Sequence, residues 1–311
     1  MSENTSATAI EVMEANVQMK VFSNEKCELG ESPLWHPQRG SLLWLDILQR
    51  KLYEKKLGAT RHESDRVWNL PEYTSVLSLD KYNPDLLWMV TDKSFGNFDL
   101  CSGSFEKLLD LNLNKAYRTN DGGVSPNGDF WFGTMAWEPR GINGDIYSVT
   151  ASAKLIKHQL KLGIPNTFCW TADNSGLLIT DSFQQRIFHY QVSRGNLKQD
   201  SKFVFKDLSK STSTPDGGAL DIHGRLWIAR WGGSKVVKYD QNGVNKGEII
   251  LPVPRPTSCC FGGPNNCLLF ITTARTGLSK SDLADQPLSG SVFVVKANTP
   301  GLPLMPFCLE S

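Results

Sequence analysis

The chain has 311 residues, with Lys plus Arg at 33, Asp plus Glu at 32 and a formal charge of +1. That balance excludes the strongly basic face needed to hold nucleic acid or an anionic membrane, and 40% hydrophobic with 21% charged residues is globular composition, not disorder. No run approaches the roughly 18 to 20 apolar residues that span a bilayer.

Residues 1–17 are polar and mixed, without a basic start or an apolar run, which predicts a flexible tail, no signal peptide and a cytoplasmic protein. Beyond residue 18, short runs rich in Val, Ile, Phe and Trp alternate with clusters of Gly, Pro, Asn and Asp, the pattern of strands and turns. A polar turn followed by an apolar strand recurs as HPQRG-SLLWLD, KYNPD-LLWMVT, SPNGD-FWFGT, ADNSG-LLITD, DIHGR-LWIAR and GPNNC-LLFIT. Marked at Leu42, Leu87, Phe130, Leu177, Leu226 and Leu268, the unit repeats every 42 to 49 residues or so, about the length of a four-stranded propeller blade. The expectation is an all-β chain in which residues 18–311 form a single six-bladed β-propeller around a central channel. The helical segments that a TIM barrel requires are missing. Trp44, Trp88, Trp131 and Trp227, on the marked strands, should pack between neighbouring blades.

About ten residues before each marker lies the strand expected to be innermost in its blade. There stand Glu31, Ser75 with Val76, Asn120, Asn166, Asp216 and Ser258, in Gly- and Pro-rich surroundings. A propeller brings equivalent positions of all blades around one axis, so residues far apart in sequence converge. Glu31, Asn166 and Asp216 then offer two carboxylates and an amide oxygen, a hard oxygen-only set suited to Ca²⁺, Mg²⁺ or Mn²⁺. Arg118 and Asn120 share one face of an extended segment and suit an array of polyol or carboxylate oxygens. Glu138, a few residues past the next strand, is placed at the same mouth. Asp121, in NDG, reads as a turn residue. His36 and His223 fall in repeat turns and are expected in solvent.

Rival chemistries lack their signatures. The seven cysteines are irregularly spaced with no C-x-x-C pair, which disfavours a disulfide framework or a structural zinc site. Adjacent Cys259 and Cys260 should face opposite sides of a strand. There is no G-x-S-x-G elbow, the five histidines are scattered without H-E-x-x-H, and no phosphate-binding glycine motif occurs.

The stretches GESPLW (30–35), WLDI (44–47), RTNDG (118–122), GTMAWE (133–138), PDGGALDIHGRLWIARWGG (215–233), TSCCFGG (257–263) and TTARTGLS (272–279) resemble the SMP-30/gluconolactonase family, which includes regucalcin and sugar-acid lactonases. The resemblance runs over nearly the whole chain beyond residue 18. It implies hydrolysis of an aldonolactone (glucono-, xylono-, arabino- or galactonolactone) to the aldonic acid. Glu31, Asn166 and Asp216 would be ligands of one divalent ion (Ca, Mg, Mn, Zn or Fe), with Asp216 also the general base. Arg118, Asn120 and Glu138 would bind substrate. The implied partner is a small sugar lactone, with no nucleic acid or membrane, on a monomer or weak homo-oligomer. A related metal-dependent esterase or phosphotriesterase, and a non-enzymatic calcium-binding protein, are the competing readings. Two departures from the family pattern stand out. Thr167 follows Asn166 where the family often has Gly, so a glycine-specific backbone angle is expected to be lost; Ser125 replaces an Asp before a Pro-x-Gly turn, which should alter only turn hydrogen bonds. Trp137 reads as core packing in preference to a pocket wall.

Overall fold

The computed structural model describes residues 19–60, 64–193 and 196–310; the polar segment 1–17 lies outside them. Among the described residues the strands form six four-stranded antiparallel sheets. Their first strands are Gly30–His36, Thr74–Leu79, Tyr117–Val124, Pro165–Trp170, Thr214–Leu220 and Pro256–Gly262. Each of these packs on its neighbours, and the last packs on the first, which closes a six-bladed β-propeller with these strands around the axis. The marked runs become the second strand of each blade, Ser41–Asp46 through Leu268–Thr273. The sixth blade takes its outer strand, Lys20–Ser23, from the other end of the chain, paired with Val292–Lys296.

Runs such as SLLWLD and LLFITT are apolar on both faces because each blade is sandwiched between two others. The buried side chains accordingly form six clusters, one at each blade interface. Leu43 and Leu45 meet Leu77 and Met89 between the first two blades, and Trp35 and Trp44 meet Cys260 and Phe270 between the last and the first. Trp44, Trp88, Trp131 and Trp227 are all buried as expected, Trp131 edge-on to Trp170 of the fourth blade and Trp227 edge-on to Phe261 of the sixth. Cys259 and Cys260 enter different interface clusters, on opposite faces of their strand.

His36 is a correction. It is buried, its Nε2 lies 2.8 Å from the Pro84 carbonyl of the second blade, and its Nδ1 accepts from the Arg39 N–H. The turn it opens is roofed by the next blade, so turn position does not imply solvent. The C-terminal segment is a second feature that the repeat does not contain. Leu302 N–H donates to Leu220 of the fifth blade and Phe307 N–H to Leu79 of the second, so the chain crosses the end of the channel. Phe307 is fully buried, edge-on to Trp88, Phe95 and Phe130.

Candidate active site on the propeller axis

All six inner strands break register with their second strand at one level. The shift falls after Glu31, Thr74, Thr119, Asn166, Pro215 and Pro256. A β-bulge leaves residues unpaired and re-aims their side chains, and here the six bulges form a polar layer across the axis. It gathers Glu31, Arg118, Asn120, Asp121, Asn166 and Asp216.

Hydrogen bonds stitch this layer from blade to blade. Ser75 Oγ donates to Thr119 Oγ1 at 2.7 Å, and Arg118 Nη1 donates to Asn120 Oδ1 at 2.8 Å. Asn120 Nδ2 donates to Pro165 O at 2.9 Å and to Asn166 Oδ1 at 3.0 Å, while Asn166 Nδ2 donates to Ser182 Oγ at 2.8 Å. The last bond fixes which end of the Asn166 amide faces the axis: its oxygen. Thr257 Oγ1 donates to Gly30 O at 2.5 Å and ties the sixth blade to the first.

The electrostatics are those of an anionic cradle. Burial raises the Glu31 carboxyl well above its ordinary range, and the charges of Asp216 and Asp121 add to the effect. Asp216 is raised likewise, by burial first and then by Asp121. Arg118 is the opposing cation, itself lowered to about 10 by burial against the pull of Glu31 and Asp216. Glu31 feels the charge of Asp216, and carboxylates coupled in this way favour a bound cation over both ionising alone. Among the described residues, no three His, Cys, Asp or Glu side chains stand together as a cation site. A divalent ion held by Glu31 and Asp216 could take Asn166 Oδ1 as a further oxygen. Such a set would be all oxygen and suited to a hard ion; Asn166 is buried, with its amide held by Asn120 and Ser182.

Glu138 is separate from this cluster. It stands on the rim, mostly exposed, in an ion pair with Arg140 at 2.6 Å. Trp137 is a correction: it is 37% exposed at the mouth, edge-on to Tyr73, with the Arg118 guanidinium 5.6 Å from its ring. It walls the site beside Arg118, because it follows the end of strand Phe130–Ala136 and has left the blade interface.

Asp121 is a further correction. It occupies the mid-strand bulge instead of a hairpin turn. Its Oδ1 accepts from Gly122 N–H and its Oδ2 from Thr167 N–H of the fourth blade, both at 2.7 Å, and burial pushes its carboxyl up to about 6. Thr167 overturns the expectation of a lost glycine angle. Its φ is 57°, so the left-handed conformation is kept by a β-branched residue, at a strain on the order of 1 to 3 kcal/mol. At Ser125 the hydroxyl donates to Asn127 Oδ1 and accepts from Asp129 N–H, an effect confined to the turn.

Farther along the inner strands the channel widens into a cavity of about 390 Å³ lined mainly by apolar side chains, among them Leu34, Val124, Phe168 and Phe261, with Leu302–Met305 also in its wall. The polar layer thus lies between the rim that carries Trp137 and an apolar cavity.

The family model for the SMP-30/gluconolactonase/LRE-like region matches residues 29–275. An L-arabinolactonase of Azospirillum brasilense is 30% identical, covering 92% of this chain and 94% of its own. Regucalcin of Danio rerio is 29% identical, covering 90% and 95%. The crystal structure of a calcium-binding protein, regucalcin, from Agrobacterium tumefaciens superposes with a TM-score of 0.86 at 26% identity, over 95% of this chain and 98% of its own.

Proposed function

Because the chain belongs to the SMP-30/gluconolactonase/LRE-like family, we propose that it hydrolyses a sugar lactone to its aldonic acid with the aid of one divalent ion. The observation that carries this reading is the pair of coupled carboxylates, half-buried Glu31 and buried Asp216, set against the Arg118 guanidinium beside the Asn166 amide oxygen. The lactonase name of a relative matched over nine-tenths of its length supports the reaction class, and the calcium-binding description of the regucalcin structure supports the ion.

Glu31, Asn166 and Asp216 would hold the ion. When bound, a divalent ion supplies Lewis-acid polarisation of a carbonyl and acidifies a water. The remaining work falls to the chain's own groups. Arg118 uses Nη1 within the layer, on Thr119 O and Asn120 Oδ1, and the rest of its guanidinium faces the negative charge that grows on the lactone carbonyl oxygen. Asn120 has both amide hydrogens engaged, so it accepts from a sugar hydroxyl through the free lone pair of Oδ1 and holds Arg118 in place. Glu138 takes part by releasing Arg140 and turning inward to a hydroxyl. Asp216 accepts the proton of the attacking water as the water oxygen bonds to the carbonyl carbon. The ring C–O bond then breaks, and the ring oxygen leaves as a hydroxyl with that proton.

The test is hydrolysis of a panel of aldonolactones by metal-stripped protein, with divalent ions restored one at a time and spontaneous opening subtracted. Asp216→Asn should lower the rate about 100-fold or more with an unchanged β-sheet circular dichroism spectrum. Tight binding of an ion with no lactone turned over would instead support a calcium-binding role without catalysis.

A further inference from the structure

We propose that Thr167 is a positioning residue, whose hydroxyl holds the backbone of Asp216 and so sets the separation of the two ion-holding groups Asn166 and Asp216. The inference rests on the reading above and deepens it.

Thr167 lies in the bulge of the fourth blade, directly after Asn166, and is 1% exposed. Its backbone is left-handed at φ 57°. Glycine adopts that conformation without strain, and threonine is among the residues least suited to it. A purely conformational requirement would be met best by glycine, so the side chain must be held by something specific. Its Oγ1 donates to the Asp216 carbonyl of the fifth blade at 2.6 Å. Its N–H donates to Asp121 Oδ2 of the third blade at 2.7 Å. One residue therefore joins the bulges of three consecutive blades, from an acid on one side to the backbone of the proposed base on the other. A peptide bond couples its position to Asn166, and the hydroxyl couples it to Asp216.

The opposite side of the ring repeats the device. Ser32 directly follows Glu31, is left-handed at φ 48°, and its Oγ accepts from Leu77 N–H of the second blade at 3.1 Å. In both places a left-handed hydroxyl residue follows a group assigned to the ion and braces the next blade. In the fourth blade the brace ends on another such group, Asp216. The Thr167 hydroxyl therefore acts on the ion-holding set as an outer partner orients ligands at metal centres, where its loss typically weakens metal affinity or activity by about 10- to 100-fold.

The experiment compares Thr167→Ser and Thr167→Gly with the wild-type full-length chain. Mn²⁺ affinity is read by electron paramagnetic resonance of the free ion, kcat and KM on the best lactone of the panel, and stability by thermal melting. Thr167→Ser keeps the hydroxyl and should stay within about twofold of wild type in Mn²⁺ affinity. Thr167→Gly relieves the backbone and should melt close to wild type, yet bind Mn²⁺ about 10-fold more weakly, with a fall in kcat larger than any rise in KM. A Gly variant equal to wild type in Mn²⁺ affinity and kcat would overturn the proposal, as would a Ser variant as impaired as the Gly variant. A wild-type chain that binds Mn²⁺ without turning over any lactone would overturn the lactonase reading alone, and the three affinities would still decide the role of Thr167. A wild-type chain that binds no divalent ion would remove both.

Discussion

Gly217, next to Asp216 on the fifth inner strand, packs directly against Ser258 of the sixth. A Cβ placed on it would lie 2.3 Å from Ser258 Oγ, 2.6 Å from Ser258 Cβ and 3.0 Å from Ser258 Cα. The hydroxyl can rotate away, whereas Cβ is fixed by the backbone and Cα is backbone. Gly217→Ala therefore forces the two strands apart at the polar layer, and overpacking of this kind costs about 2 kcal/mol. Relief depends on which atom of Ser258 is deleted. Ser258→Ala removes only Oγ and leaves the 2.6 Å clash, so it should recover little. Ser258→Gly removes Oγ and Cβ together and should recover more than half of the loss, less the roughly 0.5 to 1 kcal/mol that a strand glycine costs by itself. Urea denaturation of the wild type, the singles and the two doubles measures the coupling directly. Gly217→Ala within about 0.5 kcal/mol of wild type, or rescue by Ser258→Ala equal to that by Ser258→Gly, would refute the argument from contact.

Glu54 is buried yet lies below the ordinary carboxyl range: burial pushes it up, but hydrogen bonds from Arg39 and Ser41 and the Arg39 charge outweigh that. A lowered folded value means that its stabilisation is complete above the unfolded carboxyl pKa near 4.3 and is lost as pH falls through the folded value. Glu54→Gln should thus cost about 1 to 2 kcal/mol at pH 7, because Arg39 keeps Asp85 as a partner, with the gap to wild type narrowing below about pH 4 in urea titrations at stepped pH. Phe307→Ala should cost about 3 to 5 kcal/mol by the same measurement, because the side chain is fully buried among three aromatic rings. Trp137→Ala, which opens the wall beside Arg118, should raise KM several-fold, by about 3- to 10-fold for one partly buried ring, with kcat nearly unchanged. An equal loss in both constants would place Trp137 in the chemistry instead.

The propeller could be read from the sequence because the second strand of each blade is buried on both faces. Its apolar run and preceding turn recur wherever a blade recurs. The placement of Glu31, Asn120, Asn166 and Asp216 at the axis could be read by phase alone, since the repeat fixes which position faces it. A bulge has no such signature: two residues opposite one look the same in sequence as an ordinary pair. Asp121 therefore reads as a turn acid, although its carboxylate spans two blades. Thr167 argues against a left-handed angle on propensity, and only the two tertiary hydrogen bonds reverse that. His36 and Trp137 fail for a related reason, because the neighbouring blade, and not the local segment, decides what is covered. Lys20–Ser23 was invisible as a blade strand, being four residues with no repeat of their own and a partner at the far end of the chain.

That strand carries a kinetic consequence. In every other blade the strands follow one another through short connections, so each can form as it leaves the ribosome. Lys20–Ser23 is made early and must wait for Val292–Lys296, about 270 residues later. Bringing such distant segments together costs roughly 2 to 3 kcal/mol more chain entropy than closing a 15-residue loop, and contacts of long range are the slow ones. Five blades can be in place while the ring still has a gap, its polar layer incomplete and the Trp35–Phe270 interface unmade. Closing that gap is the natural last step of folding, and the seam is where a circular permutant would shift it.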